Sequence, residues 1–188
     1  QVQEVVVVPT ACFDGEFDFA QSQLDVLKES TSKLIANDAL KLSIMITDNY
    51  GLDSNYQAMW WFAQGDLLIE QHKYTIAFQY FDSIISTFSY HSLGDEILMK
   101  KTEAAMKQGK WIEAVKHLED LLKYHGTDIL ADDAVFLLGE IYEIHLNDPE
   151  KAAEFYKKIL FDFRGSLFTE ESRKRYRILR GDVLEEDL

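Results

Sequence analysis

The sequence predicts an all-α fold, an array of antiparallel helical hairpins in which each hairpin repeats the packing of the one before. Three observations carry this. Gly65, Thr102 and Gly139 follow one another at intervals of 37 residues. A second set of small residues, Ala77, Ala114 and Ala152, recurs 12, 12 and 13 residues after them. Large residues flank both sets at matching offsets: Trp61, Leu98 and Val135 before the first, Phe81, Leu118 and Tyr156 after the second. Small residues belong where two helices cross closely, because a branched side chain has no room on that ridge. The large ones then wedge between hairpins, each contributing roughly 1.5–3 kcal/mol through buried apolar area. The third unit carries one extra residue, which the sequence places in the turn at Asn147-Asp148-Pro149.

The pattern resembles the tetratricopeptide repeat, whose signature is a large residue, Leu-Gly, Tyr, then Ala, an aromatic and a closing Pro. Here Val135, Leu138, Gly139, Tyr142, Ala152 and Tyr156 follow it most fully. Ser89, Gly126 and Arg164 stand where the closing proline would be, and the period is longer than the usual ~34. The longer period, with Asp162-Phe163-Arg164-Gly165-Ser166 ahead of a basic helix containing Arg173, Lys174 and Arg175, looks more like the bacterial envelope type. The resemblance implies an α-α solenoid wound as a right-handed superhelix. It also implies a role as a binding scaffold, and a place in outer-membrane assembly or envelope organisation alongside Tol-Pal components. A periplasmic or cell-envelope location comes with it, the cytoplasm staying open.

Taken in order, residues 1–14 combine the β-branched run Val5 to Val8 with Pro9 and then Asp14-Gly15, which predicts an extended arm ending in a turn. Residues 15–51 predict a degenerate first hairpin, with helices from Phe17 to Leu34 and Ala36 to Asn49 and Ala39 as its packing alanine. An end unit has one neighbour instead of two, so a missing signature is expected there. Gly51 to Ser54 read as a helix stop and restart. Residues 52–166 hold three repeats, about 58–94, 95–131 and 132–166. Residues 167–182 form a basic capping helix, started by Ser166, with Glu170 and Glu171 near its N-terminus and Arg173, Lys174, Arg175, Arg177 and Arg180 further along, as the macrodipole favours. A basic docking helix for an acidic partner is the competing reading. Residues 183–188 form an acidic tail.

Composition narrows the function. With 188 residues and 47% of them apolar, the chain can bury a continuous core. A net charge of −14 argues against nucleic acid, whose binding needs Lys and Arg to displace condensed counterions, and against anionic membrane surfaces. No run approaches the ~20 apolar residues of a membrane span. Cys12 is the one cysteine, so no internal disulfide forms, and it reads as an inert or packing residue. No stretch reads as a signal peptide. Since the chain starts at Gln1 without methionine, a removed leader or further repeats are compatible with it.

Within the resemblance, the first helix of each hairpin lines the concave face. Phe62, Met99 and Phe136 then share one position in three successive units, and Asp66, Glu103 and Glu140 share another, four residues on and hence on the same helical face. Glu70, Glu96, Asp133 and Glu143 add charge on that side, with Met59, Ile69 and Met106 between them. Carboxylates interleaved with Phe and Met suit a basic, amphipathic protein segment. The expected partner-binding residues are therefore Met59, Phe62, Asp66, Glu70, Met99, Glu103, Met106, Phe136, Glu140 and Glu143. The bland reading is a solvated charged face over ordinary helix packing. A second functional reading is self-association, giving a homodimer through Trp60, Trp111 and the N-terminal arm, or docking within a longer chain.

Nothing points to catalysis. His72, His91, His117, His125 and His145 show neither four-residue spacing nor an H-E-x-x-H arrangement, and no nucleophile or orienting acid is paired with them. Asp132-Asp133 and Glu170-Glu171 are neighbours in sequence, so on a helix they point about 100° apart. The sequence predicts no metal and no cofactor.

Overall fold

The computed structural model describes residues 16–29, 33–50, 56–88 and 91–182. The expected N-terminal arm, Cys12 and the acidic tail lie outside them. The described elements are helical: α1 Phe17–Lys28, α2 Lys33–Tyr50, α3 Tyr56–Glu70, α4 Tyr74–Thr87, α5 Gly94–Lys107, α6 Trp111–His125, α7 Ala131–Glu140, α8 Pro149–Asp162 and α9 Thr169–Arg180, with a π-helical turn, Ile141–His145, extending α7. The chain divides into two compact units, residues 1–93 and 94–188.

In the first unit α1 packs on α2, α2 on α3 and α3 on α4. Ala20, Leu24, Ala39 and Ile46 fill the first hairpin, and Ala58, Ala77, Phe81 and Ile84 the second. Gly65 is required by close approach, since a Cβ there would sit on the Phe81 ring. Ser43 makes a buried polar link, accepting from Gln21 at 2.5 Å and Lys28 at 3.1 Å. The first helix is shorter than its periodicity predicts. It ends at Lys28, and Lys33 opens α2. Between them the sequence reads Ser30-Thr31-Ser32, residues whose hydroxyls compete for backbone partners and so favour caps and turns over helix interiors.

In the second unit α5 packs on α6, α6 on α7, α7 on α8 and α8 on α9. Ala105, Ala114, Leu118, Leu138, Ala152, Tyr156 and Ile159 form its buried centre. Gly139 repeats the role of Gly65: a Cβ there would lie 2.6 Å from the Tyr156 ring. Thr102, which replaces glycine in the middle repeat, is buried with its hydroxyl donating to the Leu98 carbonyl at 2.9 Å. A polar side chain is thus satisfied locally where a glycine would otherwise stand.

The extra residue of the third repeat sits earlier than the sequence suggests. It is absorbed in the π-turn, where the Leu146 amide donates to the carbonyl of Ile141 five residues back at 3.0 Å. One wider turn keeps Ala152 and Tyr156 in phase with Gly139 despite the added residue. Asp148 then caps α8, accepting from the Lys151 amide at 3.1 Å, with Pro149 in the first turn.

The turns inside the three later hairpins share a left-handed residue at equivalent places: His72 (φ 58°), Gly109 (φ 69°) and Asn147 (φ 52°). Only Gly109 has the residue type that adopts this backbone without cost. A Cβ at Gly109 would meet nothing within 4 Å, so Gly109→Ala tests the backbone alone. It is expected to lower unfolding free energy by about 1 kcal/mol in urea titration, and an unchanged midpoint would contradict the assignment.

The last helix starts later than expected. Ser166 does not cap it; its hydroxyl accepts from the Phe168 amide at 3.1 Å and its carbonyl from the Thr169 hydroxyl at 2.8 Å, which shapes the turn ahead of Thr169. At the other end Gly181 takes φ 85°, and the Asp182 amide closes back on Arg177 at 2.9 Å.

Candidate functional site

The first helices of the hairpins, α3, α5 and α7, carry the expected groove residues, and their side chains fall into three groups. Met59, Phe62 and Phe136 are buried. They are not groove-facing, which corrects the expectation for these three. Phe62 packs against Phe81 at 5.7 Å between ring centroids, and Phe136 stacks on Phe168 at 4.4 Å and 10°. The physical reason is the neighbouring glycine: Gly65 and Gly139 bring the following helix so close that the ring three residues earlier becomes part of the seam.

On α5, Met99, Glu103 and Met106 lie four and three residues apart and share one face. Both methionines pack against the core of the unit while remaining half-buried. Glu103 is bracketed by Lys107 at 2.8 Å and Lys100 at 3.3 Å. Burial raises its pKa, but the bonds and charges of the two lysines outweigh this and hold it below the ordinary 4.5. Such partly exposed pairs within one helix contribute about 0.3–0.5 kcal/mol, little enough for a partner's cation to replace a lysine. In the first unit Asp66 is half-buried and Glu70 exposed.

On α7 the carboxylates are already engaged. Arg175 of α9 reaches Glu140 at 3.0 Å, Glu143 at 3.0 Å and Glu171 on its own helix at 2.7 Å. Its guanidinium carbon lies 5.7 Å from the Phe136 ring centre and 5.8 Å from that of Tyr156. The Tyr156 hydroxyl donates to Glu143 at 2.6 Å and accepts from Arg175 at 3.3 Å. Side-chain exposure is 22% for Arg175, 30% for Glu140 and 26% for Glu143, so the charges meet with much of their water removed. Burial would lower the Arg175 pKa, yet its bonds to Glu171 and Glu143 push it upward. Burial, then the bond to Glu143, raises that of Tyr156.

Two members of this cluster stand in the sequence as something else: Tyr156 as a wedge and Arg175 as one of several helix cations. A signal was available, since Glu140 and Glu143 share a face and need a cation across from it. The tryptophans expected as self-association contacts each have a neighbour: Trp60 meets Tyr80 edge-on at 6.3 Å, and Trp111 stacks on His145 at 3.5 Å and 7°. Trp61 is half-buried against Phe88 at 5.8 Å.

Residues 100–166 match the family model for the tetratricopeptide repeat. No curated protein and no solved structure matches the chain. The matched segment runs from within α5 to just beyond α8. Repeats of this kind generally mediate protein–protein interaction. Among the described residues no helix is long and apolar enough to cross a membrane.

Proposed function

We propose that the chain is a non-enzymatic interaction scaffold, binding a basic, amphipathic segment of a partner protein through its carboxylate-and-methionine helix faces. The observation that carries this reading is Arg175. A guanidinium lodged between Glu140 and Glu143, over the rings of Phe136 and Tyr156, is the contact the repeated pattern is suited to make with a partner. On α5, Glu103 lies between Met99 and Met106, its charge partners among the described residues are lysines of its own helix, and a partner's Arg or Lys is proposed to dock there.

Fluorescence anisotropy with an amphipathic peptide carrying Arg and Lys tests this. Glu103→Lys is expected to weaken binding at least tenfold, about 1.4 kcal/mol, while Glu119→Lys, the same charge change on the exposed side of α6, leaves it within about twofold. Raising salt from 0.1 to 0.5 M should weaken the wild-type complex as well. Equal effects of the two substitutions would sink the proposal.

The engagement of Trp60 and Trp111 by their own neighbours favours partner binding over self-association. Light scattering at low and high salt separates the two, a salt-insensitive dimer favouring the second. The Asp162-Phe163-Arg164-Gly165-Ser166 phrase supports a bacterial cell-envelope setting, which fractionation of the source cells would test.

A further inference from the structure

We propose that the open end of the α5–α6 hairpin is a site for a divalent transition-metal ion of the Zn²⁺ class, held by Asp95, His125 and Asp128. The three residues come from the first turn of α5, the last residue of α6 and the turn that follows, and one ligand atom from each lies within 4.8 Å of the other two. Two features set the cluster apart from ordinary surface acids. Asp95 is only 4% exposed, and among the described residues its carboxylate has no hydrogen-bond or ion-pair partner, although it lies beside the other two ligands. A carboxylate with little water around it and no protein donor favours a cation beside it. The imidazole, for its part, is held in place. His125 Nδ1 lies 2.9 Å from the Asp128 carboxylate, and its Cε1–Nε2 edge rests on Gly94, where a Cβ would approach to 2.7 Å. Glycine at the start of α5 is what lets the ring come next to Asp95.

One imidazole nitrogen with two carboxylates suits zinc and its neighbours, with bonds of about 2.0–2.2 Å and water completing the shell. Donors around such an ion stand roughly 3–3.5 Å apart, so side-chain rotations of about 1 Å close the site. The pattern escapes sequence inspection because thirty residues separate Asp95 from His125, and only the hairpin brings them together.

The test uses the full chain with Cys12 alkylated. Zn²⁺ titration by calorimetry is expected to give one saturable site of micromolar affinity, weakened at least tenfold in Asp95→Asn and His125→Gln but unchanged in Glu154→Gln. Should either variant fold poorly, NMR of the wild-type imidazoles decides independently, with Zn²⁺ shifting the ring signals of His125 and leaving His72, His91, His117 and His145 in place. Absence of saturable binding up to millimolar Zn²⁺, undiminished binding in the variants, or ring shifts at another histidine would each overturn the site.

Discussion

Tyr156→Ala is expected to destabilise the chain by about 3–5 kcal/mol, the usual cost of emptying a large aromatic site in a core that cannot collapse. The ring is buried against Gly139 and Phe136 and fills the crossing of α7 and α8. Gly139 has no side chain with which to fill the void. Tyr156→Phe separates packing from hydrogen bonding: it keeps the ring and loses the donor to Glu143, for about 1–2 kcal/mol. The phenol also links stability to pH. Its folded pKa lies above the ordinary 10.0, so its contribution is complete below pH 10 and is lost as pH rises through the folded value. Between pH 10 and 11.5 the wild type should therefore lose stability faster than Tyr156→Phe, by up to about 1.4 kcal/mol per pH unit. Denaturant unfolding across that range checks both statements. A cost below about 1 kcal/mol for Tyr156→Ala would mean that the ring does not fill the seam.

Arg175→Ala carries the second large effect, about 2 kcal/mol. Removing one partner of a buried charge pair costs about 3–5 kcal/mol when the remaining charge is fully enclosed. Exposures of 22–30% here reduce that. Three carboxylates, Glu140, Glu143 and Glu171, would then face one another without the guanidinium that joins them. Thermal unfolding should show the loss at low salt and part of its recovery at high salt, because added ions screen the exposed share of the repulsion. Arg175→Lys should recover only part of the stability, a point charge being unable to bridge three acceptors in a planar fork.

The fold was legible because small residues are informative where helices cross. Gly65, Ala77, Ala114, Gly139 and Ala152 identify the seams directly, and the rings of Phe81 and Tyr156 lie against the glycines. The extra residue of the third repeat was visible as a count but not as a place, since any of several backbone positions could take it up before the π-turn does so. The same repetition misled at 62 and 136. A position that recurs every 37 residues is constrained, but packing and binding impose the same constraint on a sequence, and here packing holds Phe62 and Phe136. Arg175 was hidden for another reason. Its helix places basic residues where the macrodipole favours them, so one arginine turned inward looks no different from the exposed Arg173, Lys174, Arg177 and Arg180.

Chemical rescue of Arg175→Ala tests most directly whether a face of carboxylates and aromatic rings accepts a guanidinium. Ethylguanidinium at low millimolar concentration should raise the melting temperature of Arg175→Ala, by an amount equivalent to about 1.4 kcal/mol at ten times its dissociation constant. The wild type should not respond, ethylammonium should do less, and Glu143→Gln added to the variant should remove most of the gain. Equal responses of wild type and Arg175→Ala to ethylguanidinium would contradict the account.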